Sequence, residues 1–527
     1  MKILVSDKLA PEGLDILKKE KSFQVDVKTG LPPEELKKII GEYEGLVVRS
    51  STKVTKDIIE AGKKLKIIGR AGVGLDNVDL NAASRQGIIV MNTPGGNTMS
   101  TAEHTMTLIL ALSRNIAQAH HSLAREKKWD RNKFMGVELY GKALGVIGLG
   151  RIGTEVARRA LSFNMKILAF DPFLSLDKVK TLPVEAVTLE ELLKRADYIT
   201  VHTPLTPETK HMIGEKEIAL MKKGVRLINC ARGGIIDEQA LIKGMQSGQI
   251  AGCALDVFES EPPLESELLK MENVVVTPHL GASTEEAQIN VAIDVAQSIV
   301  DALTGKGIKN AVNVPSLAPE IAEIIQPYVT LAERLGSLLS QLAESQITRL
   351  KIEYIGEIGN YDCSAITSAC AKGMLEPFMG ETVNYINASM LAKERKIAIE
   401  ETKTDRIENF ANMICVEIRT DKGDLEVWGT VFAKNDLRIV RLNKFHVEAH
   451  PKGYLLVIKN KDLPGVVGQI GTIMGKNKIN IAEMTFGREK LGGQAVSVLN
   501  VDSEISKPVL EEIKKCDNIY DAKIIHL

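Results

Sequence analysis

Three charged side chains stand at the ends of apolar runs in the middle of the chain. Arg232 closes the stretch LINCARGGIID, Glu261 lies in LDVFESEPP, and His279 ends VVVTPHLGAST. These three types suit the oxidation of an alcohol. A base must take the hydroxyl proton, and histidine is the side chain that titrates nearest neutrality. A carboxylate beside it can orient the ring and stabilise the imidazolium. An arginine can fork onto a substrate carboxylate or polarise the nascent carbonyl. Each alone has a plainer reading, as a core-satisfied histidine or half of a surface ion pair. The sequence that precedes them decides for catalysis.

From Leu144 to Asp171 it reads LGVIGLGRIGTEVARRALSFNMKILAFD. A short apolar strand runs into Gly148, Gly150 and Gly153, then an amphipathic helix, then a second apolar strand ending on Asp171. Gly148 permits the tight turn, Gly150 keeps side-chain atoms away from a pyrophosphate, and Gly153 lets helix and strand pack closely. The free N–H groups at the helix start attract phosphate. Asp171, 21 residues past Gly150, is placed to accept hydrogen bonds from a ribose diol. It should also repel a 2′-phosphate, so the expected cofactor is NAD rather than NADP. Behind such a unit, the base, carboxylate and guanidinium read as the apparatus of hydride transfer.

The elements that position these groups follow from periodicity. Residues 1–95 alternate strands (KILVSD, FQVDV, GLVVRS, KIIGRAG, IIVMNT) with helical stretches such as PEGLDILKKE. That predicts a parallel sheet covered on both faces, with ligands at the carboxyl ends of its strands. Residues 97–127 read as one long helix-compatible stretch with Ala102, Thr105, Leu108, Ile109 and Leu112 in a stripe. It either bridges two domains or packs on a second subunit. A second βα series runs from 141 to 282, with strands YITVHTP, RLINCARGG, AGCALDV and NVVVTPHLG, followed by a helix over 285–303. Residues 310–320 read as a linker and 321–345 as helix. The region 346–452 reads as α+β, with a helix around SAITSACAKGML and strand-like runs KIAIEE, MICVEIRT, LEVWGTVFA and FHVEAH. The last 75 residues read βαββαβ, the ferredoxin-like split unit. It suits a small-ligand sensor or, more plainly, an oligomerisation module. The predicted architecture is α/β: two Rossmann-like doubly wound lobes with a cleft, an α+β intervening domain and a ferredoxin-like βαββαβ domain.

Composition narrows the class. A chain of 527 residues is too long for one core. Its 44% hydrophobic and 26% charged content marks a soluble globular protein, and a net charge of −1 offers no surface for nucleic acid or membrane. No apolar run reaches transmembrane length, and MKILVSDKLAPEG has no signal-peptide core. The six cysteines form no C-x-x-C pair, which suggests reduced thiols in the cytoplasm and no metal site. Cys230 itself reads as a small buried strand-end residue.

HTPLTPETKHMI, INCARGGIIDEQAL, ALDVFESEPP and VVVTPHLGAST together resemble the D-isomer-specific 2-hydroxyacid dehydrogenases. GRAGVGLDNVDL, VMNTPGGNTMSTAEHT and KKWDRNKFMG resemble the D-3-phosphoglycerate dehydrogenase branch, and LPGVVGQIGTIMGKNKINIAEM resembles an ACT domain. The resemblance implies the long form, with an intervening allosteric domain. It implies a discontinuous substrate lobe (1–97 and 283–311), an NAD-binding domain (98–282), an intervening domain (320–452) and an ACT domain (453–527). It places Arg151 and Ile152 at the pyrophosphate turn. Thr203, Cys230, Ala231, Arg232, Asp256, His279, Gly281 and Ala282 fall around the cofactor. Arg49, Arg70, Gly72 and Val73 fall in substrate loops, with Arg131 reaching a phosphate across a subunit boundary.

The implied reaction is oxidation of 3-phosphoglycerate by NAD, the entry step to serine, in a homodimer or homotetramer. Arginines beyond Arg232 favour a substrate that carries phosphate as well as carboxylate. A glyoxylate, hydroxypyruvate or D-lactate reductase of the same family is one alternative, and a non-enzymatic NAD-sensing corepressor on the same fold is another. In the ACT domain the resemblance puts L-serine between two copies, with Asp462 on its ammonium and Asn480 and Asn460 as further polar contacts. Pro464 is expected in the first turn of the helix there. In the intervening domain, Arg438, Arg441, Lys444 and His446 form either a solvated strand face or a second anion site.

Overall fold

The computed structural model describes residues 1–172, 182–314, 319–405, 410–432 and 435–527. The first sheet holds β1 (Lys2–Val5), β2 (Gln24–Val27), β3 (Gly45–Val48), β4 (Ile67–Arg70) and β5 (Ile89–Met91). All pairs are parallel, in the order β2-β1-β3-β4-β5. The inner strands are almost wholly buried, which is why they read as unbroken apolar runs rather than alternating ones. Helix α1 (Pro11–Lys19) covers one face and α2 (Leu80–Arg85) follows β4.

The stretch 97–127 forms two helices, α3 (Thr98–Ser113) and α4 (Ile116–Ala124). The break sits at Asn115, whose φ of 52° stops α-helical continuation and suits asparagine among non-glycine residues. The predicted stripe of α3 is buried as expected and packs on the second sheet's core. That sheet comprises β6 (Ala143–Ile147), β7 (Lys166–Phe170), β8 (Glu185–Ala186), β9 (Tyr198–Val201), β10 (Val225–Asn229), β11 (Ile250–Leu255) and β12 (Val274–Val276). It is parallel throughout, ordered β12-β11-β10-β9-β6-β7-β8, with α5 (Arg151–Ser162) after β6. Helix α6 (Glu285–Leu303) then returns to the first sheet. The close fit explains two glycines: a Cβ at Gly13 would stand 2.6 Å from the Ala292 carbonyl, and one at Gly69 2.7 Å from Val295.

The third sheet is mixed, ordered β14-β13-β15-β16-β17-β18. Its strands are β13 (Ile347–Gly356), β14 (Ala398–Thr404), β15 (Asn412–Thr420), β16 (Gly423–Phe432), β17 (Asp436–Leu442) and β18 (Phe445–Ala449). Helices α7 (Pro319–Leu342) and α8 (Ser364–Met379) pack against it. Strand β13 was not anticipated, although Leu350, Ile352 and Tyr354 alternate inward at period two. This region meets the first lobe where Arg85 Nε lies 2.8 Å from Glu394 and Asn384 donates to the Gly87 carbonyl at 2.9 Å.

The fourth sheet, β20-β21-β19-β22, is antiparallel between neighbours. It contains β19 (Tyr454–Lys461), β20 (Ile481–Arg488), β21 (Gln494–Val501) and β22 (Ile519–His526), with helices α9 (Val466–Lys476) and α10 (Lys507–Lys514) on one face. The other face is covered too: Leu455, Val457, Val496, Val498 and Ile525 join the core of the third sheet. Gly465, at φ 96°, caps α9, so Pro464 lies before the helix and not in its first turn. Among the described residues no helix is long and apolar enough to cross a membrane.

Candidate active site

Parallel strands end on one edge, so residues just past β10, β11 and β12 gather there. Arg232 follows β10 by three positions, Asp256 directly follows β11, and His279 follows β12 by three. His279 Nδ1 lies 2.9 Å from Glu261 Oε2, while Glu261 Oε1 accepts the Phe258 N–H at 3.2 Å. An ionised carboxylate can only accept, so Nδ1 is the donor in this contact, and in a neutral ring Nε2 is then the free base. The imidazole is about half exposed and can receive a proton from a bound molecule.

His279 holds this pose at φ 56°, a left-handed conformation that costs about 1–3 kcal/mol for a non-glycine residue. Asp256 stabilises it. Its carbonyl accepts the His279 N–H at 2.9 Å. Its carboxylate accepts from Leu280 N–H at 2.7 Å, Gly281 N–H at 2.8 Å and the Thr277 hydroxyl at 2.6 Å. His104 Nε2, on α3, stands 3.2 Å from the same carboxylate. Burial alone would raise the Asp256 carboxyl, but these donors together hold it below its ordinary value. Asp256 therefore shapes the 279–282 turn from beneath. The turn continues with Ala282, whose carbonyl accepts from Gln288 at 2.7 Å.

Arg232 reaches across to the first lobe, where its Nε lies 3.2 Å from Asp76 Oδ2 and a Cβ at Gly74 would touch its Nη2. Arg70, at the end of β4, is tucked against Gly72, whose φ of 146° strains a larger residue and where a Cβ would stand 1.8 Å from Arg70 Nη1. Burial, then the like charges of Arg232 and Arg49, push the Arg70 guanidinium down to about 10. Its Nε is buried with no hydrogen-bond partner among the described residues. Charged guanidiniums held together against their repulsion favour an anion among them. Asp7, buried after β1, shapes the Arg49 loop by accepting from Arg49 N–H at 2.6 Å and the Thr52 hydroxyl at 2.8 Å. Asn92 fixes the neighbouring turn by donating to the Val73 carbonyl at 2.7 Å.

The glycine turn fits a dinucleotide. Gly148 has φ 91°. A Cβ at Gly153 would lie 2.0 Å from the Gly148 carbonyl, whereas one at Gly150 would meet nothing within 4 Å. Gly150 is thus a glycine with open space before it, as a pyrophosphate site needs. It gives α5 no side-chain cap, which leaves the first N–H groups, at Arg151 and Ile152, for an anion. Asp171 Oδ2 accepts the Leu149 N–H at 2.9 Å, so the acid also braces the turn. Thr203 has a buried hydroxyl with no partner among the described residues. The Cys230 thiol, pushed up to about 12 by burial, stays neutral and forms wall rather than nucleophile. Ala231 beside it donates its N–H to Asn229 at 2.9 Å.

Other predicted residues are not brought to this place. Arg131 is exposed beside an exposed Trp129 and makes no ion pair with another described residue. Asn460 departs from expectation: it is fully buried, bonded to Ser497 Oγ at 3.1 Å and the Lys461 carbonyl at 2.9 Å, so it cannot face a ligand in the loop. Asp462 accepts from Arg488 and from Gly492 N–H, both at 3.2 Å. Asn480 donates to Asp502 at 2.6 Å. In the intervening domain, Arg438 pairs with Asp436, Arg441 lies over the Trp428 ring and Lys444 pairs with Glu489. Lys444 and His446 are exposed and Arg441 is partly so, but Arg438 is largely buried, so the face is solvated only in part. The sequence reading missed His104, Asp76, Thr277 and Asp7. Only Asp7, an acid directly after an apolar strand, carried a local signal.

Three stretches of the chain match known protein families. Residues 106–281 match the D-isomer specific 2-hydroxyacid dehydrogenase NAD binding domain, 324–443 the D-3-phosphoglycerate dehydrogenase intervening domain, and 454–518 the ACT domain. The D-3-phosphoglycerate dehydrogenase of Synechocystis is 45% identical over 100% of this chain and 95% of its own. That of Bacillus subtilis is 43% identical over 100% and 99%. Among solved structures, the Aquifex aeolicus D-lactate dehydrogenase complexed with NAD and lactic acid is 32% identical at a TM-score of 0.52. It matches 60% of this chain and 100% of that one.

Proposed function

The chain belongs to the D-isomer specific 2-hydroxyacid dehydrogenases, and within that family we propose that it oxidises 3-phospho-D-glycerate to 3-phosphohydroxypyruvate, the first step of serine biosynthesis. The observation that carries this reading is the His279–Glu261 pair at 2.9 Å on the same cleft as Arg232, Arg70 and Arg49. Bound NAD supplies the hydride acceptor. His279 Nε2 takes the hydroxyl proton, and Glu261 stabilises the imidazolium through Nδ1. Arg232 holds the carboxylate and polarises the forming carbonyl. Arg49 and Arg70, with the Gly72-Val73 turn, take the phosphate. Asp171 holds the adenosine ribose, with Gly150, Arg151 and Ile152 at the pyrophosphate and Thr203 and Ala282 lining the site.

The substrate lobe comprises 1–97 and 283–311, the NAD lobe 98–282, the intervening domain 320–452 and the ACT domain 453–527. The protein works in the cytoplasm as a homodimer or homotetramer, with L-serine as effector. What supports a shared effector site is the placement of Asp462 and Asn480 at opposite ends of one sheet, so that two copies are needed to bring one of each together. A substrate panel with NAD tests the reading. Turnover of 3-phosphoglycerate should exceed that of D-lactate, D-glycerate and 2-hydroxyglutarate, and preference for an unphosphorylated acid would overturn it.

A further inference from the structure

Arg232 does not present an open fork. Its Nη1 donates to the Ala231 carbonyl at 2.7 Å, and its Nε lies 3.2 Å from Asp76 Oδ2. A carboxylate grips a guanidinium best through two parallel N–H bonds. With Nη1 turned to Ala231, the remaining side-on edge is Nε and Nη2, and the Asp76 carboxylate stands at its Nε end. Gly74 supplies the clearance, since a Cβ there would lie 1.9 Å from Arg232 Nη2 and 2.7 Å from Asp76 Oδ2.

The two acids beside the arginines differ in freedom. Asp7 is buried and bonded to N–H and hydroxyl groups of its own lobe, so it stays in place. The Asp76 side chain is 70% exposed on the loop between β4 and α2, and is anchored by Arg232 alone among the described ion pairs. It also counters the repulsion that Arg232 and Arg49 exert on Arg70.

We propose that Asp76 is a built-in surrogate for the substrate's carboxylate: it pairs with Arg232 Nε when no acid is bound, yields it to the incoming acid, and competes again when the product leaves. Asp76 is thus a positioning residue that keeps the anchor oriented across the cleft and sets how tightly a carboxylate is held. The assignment rests on Arg232 being the carboxylate anchor.

Oxalate, titrated into the enzyme–NADH complex and followed by nicotinamide fluorescence, reads carboxylate binding without turnover. For Asp76→Asn, oxalate should bind tighter and the KM for 3-phosphoglycerate should fall, each by up to about fivefold at low salt, as befits an exposed pair. The gain should shrink as salt rises. Asp76→Glu, which keeps the charge, should stay near wild type. Oxalate binding that is unchanged or weaker in Asp76→Asn overturns the proposal, as does equal loss of kcat in both variants with no change in oxalate affinity. If wild type fails to oxidise 3-phosphoglycerate while Asp76→Asn still tightens oxalate, the substrate assignment falls and the role of Asp76 stands.

Discussion

The cleft between the two lobes and the C-terminal sheet solve the placement of polar groups in opposite ways. In the nucleotide lobe every strand runs the same direction, so Arg232, Asp256 and His279, each just beyond a strand, share one edge. In the C-terminal domain β19 and β20 both pair antiparallel to β21 and are parallel to each other, with α9 carrying the chain back between them. Asp462 follows the end of β19 and Asn480 precedes the start of β20, so they lie at opposite ends, separated by the whole eight-residue length of β19, or ~26 Å. One chain assembles a catalytic cleft from consecutive loops. It cannot assemble a small effector site from Asp462 and Asn480 without a second copy.

The largest test of the contrast is at the cleft. His279→Ala should lower kcat roughly 10²–10⁴-fold, the usual value of a positioned general base, while NADH binding measured by fluorescence persists. Retention of more than about a tenth of wild-type kcat would mean that convergence at the strand ends does not place the base.

Next in size are the arginines of the facing lobe. Arg49→Ala and Arg70→Ala should each raise KM for 3-phosphoglycerate about tenfold to a hundredfold, the range for losing a charge-assisted hydrogen bond. The rise for D-glycerate should be far smaller. Equal rises would remove both residues from the phosphate site.

Asp171→Ala should relax the preference for NAD over NADP by about tenfold, since a carboxylate accepting from the ribose is lost together with its charge. Because Asp171 also braces Leu149, NAD affinity should fall as well. Unchanged selectivity with weaker NAD would leave Asp171 only the bracing role.

The effector site yields to mixing. Asp462→Ala and Asn480→Ala should each abolish inhibition by L-serine, and hybrid dimers of the two should regain it, because each hybrid keeps one complete pair. Hybrids that stay insensitive would rule out a site shared in this way. Wild-type activity unmoved by millimolar serine would dispose of serine as the effector.

The smallest effect concerns the brace under the histidine turn. The Asp256 carboxyl is held below its ordinary value. A depressed carboxyl stabilises the fold above its unfolded value and loses that contribution as pH falls through the folded one. Asp256→Asn should therefore cost about 1–3 kcal/mol at neutral pH, read as a lower Tm. The gap to wild type should narrow in acid, and a gap that widens there would contradict the ion's role.

Much of this was legible because it is local. Apolar runs ending in Gly148 or His279, the spacing of the three glycines and the βαββαβ order depend on neighbours a few residues away. Even the misplaced Asn460 carried a local sign: it shares parity with Leu456 and Ile458 on β19 and so points with them into the core. The break at Asn115 and the strand β13 also had sequence cues, a left-handed-tolerant residue and a period-two alternation.

Other features belong to the assembled molecule alone. His104 supports Asp256 only because α3 lies against the second sheet, 152 residues earlier in the chain. Asp76 meets Arg232 only because two lobes face each other. The C-terminal sheet shares a core with its neighbour because β18 runs beside β20, where Glu448 N–H donates to the Thr485 hydroxyl at 3.0 Å, and because α7 lies against β22, where Lys523 donates to the Leu342 carbonyl at 2.8 Å. Residue type and spacing determined which chemistry this protein can perform, since backbone turns and periodicity are short-range. Which acid bonds which base, and which polar groups face solvent, was decided by packing between distant segments, whose relative placement no local pattern encodes.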